Sequence, residues 1–210
     1  IASCLVGSEM CIRDSPNTRM IYAESPGSLT YEMPDLRRLA ELARHHDCWL
    51  AVDNTWASGL LCQPLSLGAD ISILAATKYL GGHADVMMGA VVTNPRAWRP
   101  LDRAGIDFGQ TVGADDAFLV LRGMRSLPLR LAQHARSAMR VAEWLQGRAE
   151  VARVLCPALP GDPSHAVWQR ECSGTNGLMT LEFAAPITDA DMERALSLIH
   201  ISEPTRQEAI

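Results

Sequence analysis

VDNTWASGLLCQPLSLGADISILAATKYLGGHADVMMGAVVTN, Val52 to Asn94, carries short apolar runs separated by turn residues, and it holds Lys78. Lys78 is the only lysine among nineteen basic residues. Arginine serves as a surface cation as well as lysine does. It cannot lose its proton near neutral pH and attack a carbonyl, whereas a lysine amine can. Two readings therefore stand: a leftover surface lysine, or an amine kept for imine chemistry. The neighbouring elements bear on the choice. DISILAAT, Asp70 to Thr77, reads as a strand that delivers Lys78 at its end, and VMMGAVVT, Val86 to Thr93, as the next strand.

Moving outward, CWLAV, Cys48 to Val52, reads as a buried strand ending at Asp53. Arg19 to Ala23 reads as a shorter strand ending at Glu24, with ESPGSLTYE a loop after it. Pro34 suits the first turn of a helix whose apolar face is Leu36, Leu39, Leu42 and Ala43. Strands without polar alternation, linked by helices, predict an α/β fold with a parallel-type sheet covered on both faces. From Asp115 the pattern is helical, and Pro128 opens a long helix with Leu131, Ala135, Ala138, Val141, Ala142 and Leu145 on one side. Ala149 to Leu155 and Gly177 to Phe183 follow as short strands. A domain boundary is expected inside the long helix, dividing 16–135 from 136–195.

The ends read differently. IASCLVGSEMCIRDS (1–15) and LSLIHISEPTRQEAI (196–210) can be encoded by one DNA stretch and its reverse complement, in the manner of a translated library adapter. Residues 1–15 and 196–210 are expected to be such scars, leaving 16–195 as an internal piece of a longer gene. The formal charge of −5 and the lack of a basic run argue against a nucleic-acid partner. No apolar run reaches membrane-spanning length. Cys48, Cys62, Cys156 and Cys172 show no CxxC pair, which favours reduced thiols and a cytoplasmic setting over disulfides or zinc. His45, His46 and Cys48 read as a helix end running into a strand rather than a metal site.

Asp53 and Lys78 each follow a buried strand, and ligands of open α/β sheets sit at strand ends. Thr77 adds a hydroxyl, and Gly81-Gly82 allow close backbone approach. An aldehyde cofactor with a ring nitrogen and a phosphate would use them all: Lys78 for the imine, Asp53 for the ring nitrogen, Thr77 for the phosphate. Pyridoxal phosphate is such a cofactor. A helix cap plus a surface lysine gives the same pattern.

Val52 to Asn94 resembles the cofactor-lysine segment of the Cys/Met-metabolism family of pyridoxal-phosphate enzymes. The likeness continues through LRGMRSLPLRLAQHARSAMRVAEWLQGRAEVARVLCPALPG to SGTNGLMTLEF and covers nearly all of 16–195. It implies the aspartate-aminotransferase-like (type I) fold, here part of the large domain plus the start of the C-terminal small domain. It implies Lys78 as the Schiff-base lysine that also moves the Cα proton, Asp53 as the partner of the pyridinium nitrogen, and Thr77 as a phosphate donor. Ser28 stands where relatives carry an Asn near the ring hydroxyl. Ala75 and Ala84 replace serines common in relatives. Within the family, ESPGSLTYE and DNTWA resemble the bacterial β-acting lyases, whereas γ-acting members usually carry ESPTNP. The expected reaction is β-elimination on cystathionine, giving homocysteine, pyruvate and ammonia. A γ-acting lyase or synthase is the alternative. The resemblance also implies a small amino-acid substrate, a homo-oligomer built as a dimer of dimers, and site residues outside 16–195, so the isolated chain is expected to be inactive. Trp56 reads as either substrate-lining or packed, and His83 as a structural hydrogen bond. Met87 and Met88 read as core or interface, and Arg122 and Arg125 as structural.

Overall fold

The computed structural model describes residues 15, 17–191 and 193. Of the expected scar segments, all but Ser15 lie outside those residues. Four strands form the main sheet: β1 (Met20–Glu24), β2 (Trp49–Asp53), β3 (Ile71–Ala75) and β4 (Gly89–Thr93). They lie side by side in that order. β1, β2 and β3 are parallel, with Glu24 opposite Asp53 and Asp53 opposite Ile73. β4 runs antiparallel to β3, with Gly89 opposite Ala75.

The antiparallel β4 departs from the expected parallel-type sheet. Only thirteen residues, 76–88, separate β3 from β4, and they turn the chain straight back without a helical crossover. A parallel return is made by a crossover, usually helical, and 76–88 contain no helix. β4 also departs from the expected burial, since Val91 and Val92 remain about half exposed.

The first helix, α1 (Leu36–His45), covers one face of the sheet. Leu36, Leu39, Ala40 and Ala43 pack against Ile21, Ala23, Leu50 and Val52. Its cap is Asp35, whose carboxylate accepts the Arg38 N–H at 3.0 Å. Pro34 therefore precedes the cap and does not open the first turn. The Arg38 N–H holds the Asp35 carboxyl below its ordinary value, against the opposing effect of burial. Its contribution is present above the usual Asp range and fades as pH falls through the lowered value.

On the other face, α2 (Pro95–Asp107) inserts Ala97 against Ala51 and Ile71. Asp70 fixes this edge. It is 5% exposed; Oδ2 accepts Leu50 N–H at 3.0 Å, and Oδ1 accepts Asn94 Nδ2 at 2.8 Å. Arg96 reaches Asp70 at 3.3 Å and Asp47 at 2.9 Å, and lies 4.4 Å over the Trp49 ring.

The helix α3 (Ala114–Met124) leads into α4 (Leu127–Gln146), then β5 (Val151–Leu155), α5 (His165–Glu171) and β6 (Thr180–Phe183). β5 and β6 form a separate antiparallel pair. The expected boundary at 135/136 falls within α4, which runs unbroken through it. Among the described residues no helix is long and apolar enough to cross a membrane.

Asp70→Ala leaves the buried Leu50 N–H without its side-chain acceptor and removes one of the acceptors of Arg96, which keeps Asp47 and Cys48 O, and is expected to cost about 1–3 kcal/mol. Urea unfolding followed by circular dichroism checks this; an unchanged midpoint would show that Asp70 does not hold the edge.

Candidate active site

Because β1, β2 and β3 are parallel, their C-terminal residues Glu24, Asp53 and Ala75 share one edge of the sheet. The chain leaves β3 there in a tight turn. Lys78 N–H donates to Ala75 O at 3.1 Å, Gly81 N–H to Ala76 O at 2.8 Å and Gly82 N–H to Lys78 O at 2.8 Å. Lys78 is exposed and lines a cleft of about 800 Å³ with Thr77, Tyr79, His83, Arg130, Gln133 and His134.

The turn is clamped by α3 and α4. Gly123 on α3 lies so close to Leu80 O and Gly81 O that a Cβ there would overlap both. Arg130 of α4 donates to Gly123 O at 2.9 Å and to Ser126 Oγ at 3.0 Å. Its guanidinium lies where a Cβ on Gly82 would stand, 2.6 Å from Nη1, and Gly82 has φ of +76°. His83 Nδ1 is 2.8 Å from Gly81 O, in keeping with the structural bond expected of it. Arg122 pairs with Asp85 at 3.1 Å and so braces the same turn.

Of the other expected residues, Thr77 closes the turn that leads to β4: its Oγ1 accepts Met88 N–H at 2.9 Å and donates to Met88 O at 3.3 Å. Asp53 Oδ1 accepts Thr55 N–H at 2.9 Å, and Oδ2 lies 3.5 Å from the Tyr22 hydroxyl, which donates to it. Burial, then the Asp53 carboxylate, raises the Tyr22 phenol above its ordinary value. Ser28 turns to Glu24: its hydroxyl donates to Oε1 at 3.0 Å and its N–H to Oε2 at 2.9 Å. Ala75 N–H donates to Thr55 Oγ1 at 2.8 Å. Thus Lys78 and Thr77 line one cleft, while Asp53 and Ser28 stand on the neighbouring part of the edge and do not line it. Trp56 is 7% exposed within the α1-side core, and Met87 is 89% exposed.

Sequence reasoning missed Arg130, Gln133 and His134. They stand at i, i+3 and i+4 on α4 and so share a helix face. Only the apolar face of that helix drew notice, although the polar spacing was equally visible. Tyr79, edge-on to His134 with ring centroids 5.8 Å apart, was missed with them.

The residues present fit a pyridine aldehyde phosphate. One sheet edge offers an exposed amine and a carboxylate whose Oδ1 is oriented by a backbone N–H, while the space beside Gly81 and Gly82 is filled by Val86, Ala76 and Arg130. Ala75 and Ala84 offer no hydroxyl.

A family model described as "Cys/Met metabolism PLP-dependent enzyme" matches residues 7–204. A cystathionine β-lyase of Bordetella avium is 52% identical over 188 residues, 89% of this chain and 48% of its own length. A cystathionine β-lyase of Escherichia coli K12 is 41% identical over 194 residues, 91% of this chain and 49% of its own. Among solved structures, a cystathionine γ-synthase from Xanthomonas oryzae pv. oryzae, in complex with aminoacrylate and cysteine, superposes with a TM-score of 0.81 at 32% identity. It matches over 92% of this chain and 48% of its own. The chain spans about half the length of the curated relatives it matches.

Gly123→Ala forces the Lys78 turn away from α3 and is expected to cost about 1–3 kcal/mol. Gly105→Ala in α2, where nothing lies within 4 Å of the added carbon, is expected to stabilise by about 0.5–1 kcal/mol. Thermal melts of the two variants should move in opposite directions; equal shifts would show that Gly123 is not a packing contact.

Proposed function

Because the chain belongs to the Cys/Met metabolism family of pyridoxal-phosphate-dependent enzymes, with part of their type I fold, we propose that its parent protein is a cystathionine β-lyase. It would cleave L-cystathionine to homocysteine, pyruvate and ammonia. The observation that carries the reading is the sole lysine, exposed on the turn after β3, at the sheet edge that also holds Asp53. The β-acting assignment rests on ESPGSLTYE and DNTWA and on the names of the curated relatives.

Bound pyridoxal phosphate supplies an electron sink conjugated to the substrate Cα. Lys78 Nζ would hold the cofactor, and the same amine would take up the substrate's Cα proton. Asp53, oriented by the Thr55 N–H, would hold a proton on the ring nitrogen. The Thr77 oxygen accepts Met88 N–H, so its own proton can turn from Met88 O to the phosphate. Ser28 acts near the ring hydroxyl, oriented by Glu24. In this reading residues 16–135 belong to the large cofactor-binding domain and 136–195 to the small one. The parent is a cytoplasmic dimer of dimers, and the isolated chain releases no pyruvate.

A γ-acting reaction is the second reading, favoured by structural similarity to the γ-synthase. The two separate on products. With cystathionine, the full-length parent should release pyruvate and homocysteine, and Lys78→Ala should lose about 10²–10⁴-fold in rate. Release of cysteine and a four-carbon keto acid would replace the β-reading with the γ-one.

On this chain itself, incubation with pyridoxal phosphate followed by borohydride should place one label on Lys78. The expected control is no label there after urea denaturation. Equal labelling of Lys78 and the N-terminal amine in the native chain would count against a formed site.

A further inference from the structure

Two thiols face each other where the segment before the short 3₁₀ turn (Pro64–Leu67) meets the segment after α5. Cys62 and Cys172 pair directly as an isolated antiparallel bridge. Next to them, Ser173 N–H donates to Leu61 O at 2.7 Å, which fixes the register. Directly opposed residues of an antiparallel pair hold their Cα atoms about 4.5–5.5 Å apart. A disulfide spans about 4.4–6.8 Å between Cα atoms, so the backbone already meets its requirement. Both cysteines are free, and their side chains are hydrogen-bonded to one another.

The other two described thiols lack this arrangement. Cys48 Sγ is engaged by Thr18 O at 3.3 Å and His46 O at 3.4 Å. Cys156 is buried in a different cluster, with Val154, Ala158 and Leu159. Access also separates the pair from them: Cys62 is buried but Cys172 is partly exposed. The hydrogen bond from Cys172 holds the Cys62 thiol below its ordinary range, and the same bond raises Cys172. The two thiols are thus placed so that one can finish an exchange begun at the other.

We propose that Cys62 and Cys172 form a reversible disulfide by exchange with a low-molecular-weight disulfide, tying the β2–β3 connection to the α5–β6 connection. One thiol of the pair, deprotonated, attacks one sulfur of RS–SR, and one RS⁻ leaves. The other then loses its proton and attacks the protein-bound sulfur, expelling the second RS⁻. Two protein thiols are oxidised and one small disulfide is reduced to two thiols, which take up the two protons. The buried Glu171 carboxylate beside the pair disfavours an anionic reagent, so a small neutral disulfide is the suitable probe.

The test uses the whole 210-residue chain, treated with bis(hydroxyethyl) disulfide and then alkylated with N-ethylmaleimide. Mass spectrometry should show the peptides of Cys62 and Cys172 joined, two hydrogens lighter than their unalkylated sum, and the bond undone by dithiothreitol. Oxidation should raise the melting temperature of the native sequence and leave that of Cys172→Ser unchanged. Separate alkylation of both thiols would overturn the proposal. So would a stable mixed disulfide on either residue, or an equal yield of the joined peptide from the urea-denatured chain.

Discussion

The Asp70 carboxylate is the contact on which the sheet depends. It stands just before β3 and accepts from the backbone of β2, from Asn94 after β4 and from Arg96 in α2. A carboxylate withdrawn from water is tolerated only when its lone pairs are answered, and here they are answered from three elements. The result is a pinned register at the N-terminal edge of β2 and β3. Parallel strands pinned at one edge arrive together at the other. That is why Glu24 and Asp53 finish level, with Ala75 two residues further on, and why the residues just beyond them share one edge of the sheet.

The segment after β3 is held by packing rather than by strand pairing. The turn from Ala76 to Val86 has its own backbone hydrogen bonds, yet its position comes from Gly123 and Arg130. A helix with a side chain at position 123 could not approach the Leu80 and Gly81 carbonyls. The lysine is therefore placed by a missing carbon on a helix more than forty residues later in the chain. Thr77 supports the same turn from the β4 side by bonding Met88 in both directions. Its hydroxyl thus has a structural task beside the one proposed for it.

Much of this was legible in the sequence. The runs Arg19–Ala23, Cys48–Val52 and Asp70–Thr77 marked β1, β2 and β3 to within two residues, because buried strands leave little room for polar residues. The direction of β4 was not legible, since a continuous apolar run reads the same whether its partner is parallel or antiparallel. Helix α2 was missed because Pro100, Gly105 and several exposed apolar residues blur its periodicity. Asp35 was overlooked as a cap in favour of Pro34, although an Asp preceding an apolar-periodic run is the stronger start signal. The motif residues Lys78, Thr77, Asp53 and Ser28 stood out by type, but their hydrogen-bond partners did not. The attachment of Ser28 to Glu24 is local and could have been read from the four-residue spacing. The polar face of α4 needed the fold, because nothing in the sequence says which turn that helix passes.

The indole of Trp168 packs against both the α1-side core and the cluster beneath β5 and β6, stacks on His165 and donates to Gly174 O at 2.9 Å. Neither sheet can separate from the other without stripping the same aromatic ring of its contacts. Loss of order on one side is thereby felt on the other, which couples the two sheets into one cooperative melting unit although no strand hydrogen bonds join them.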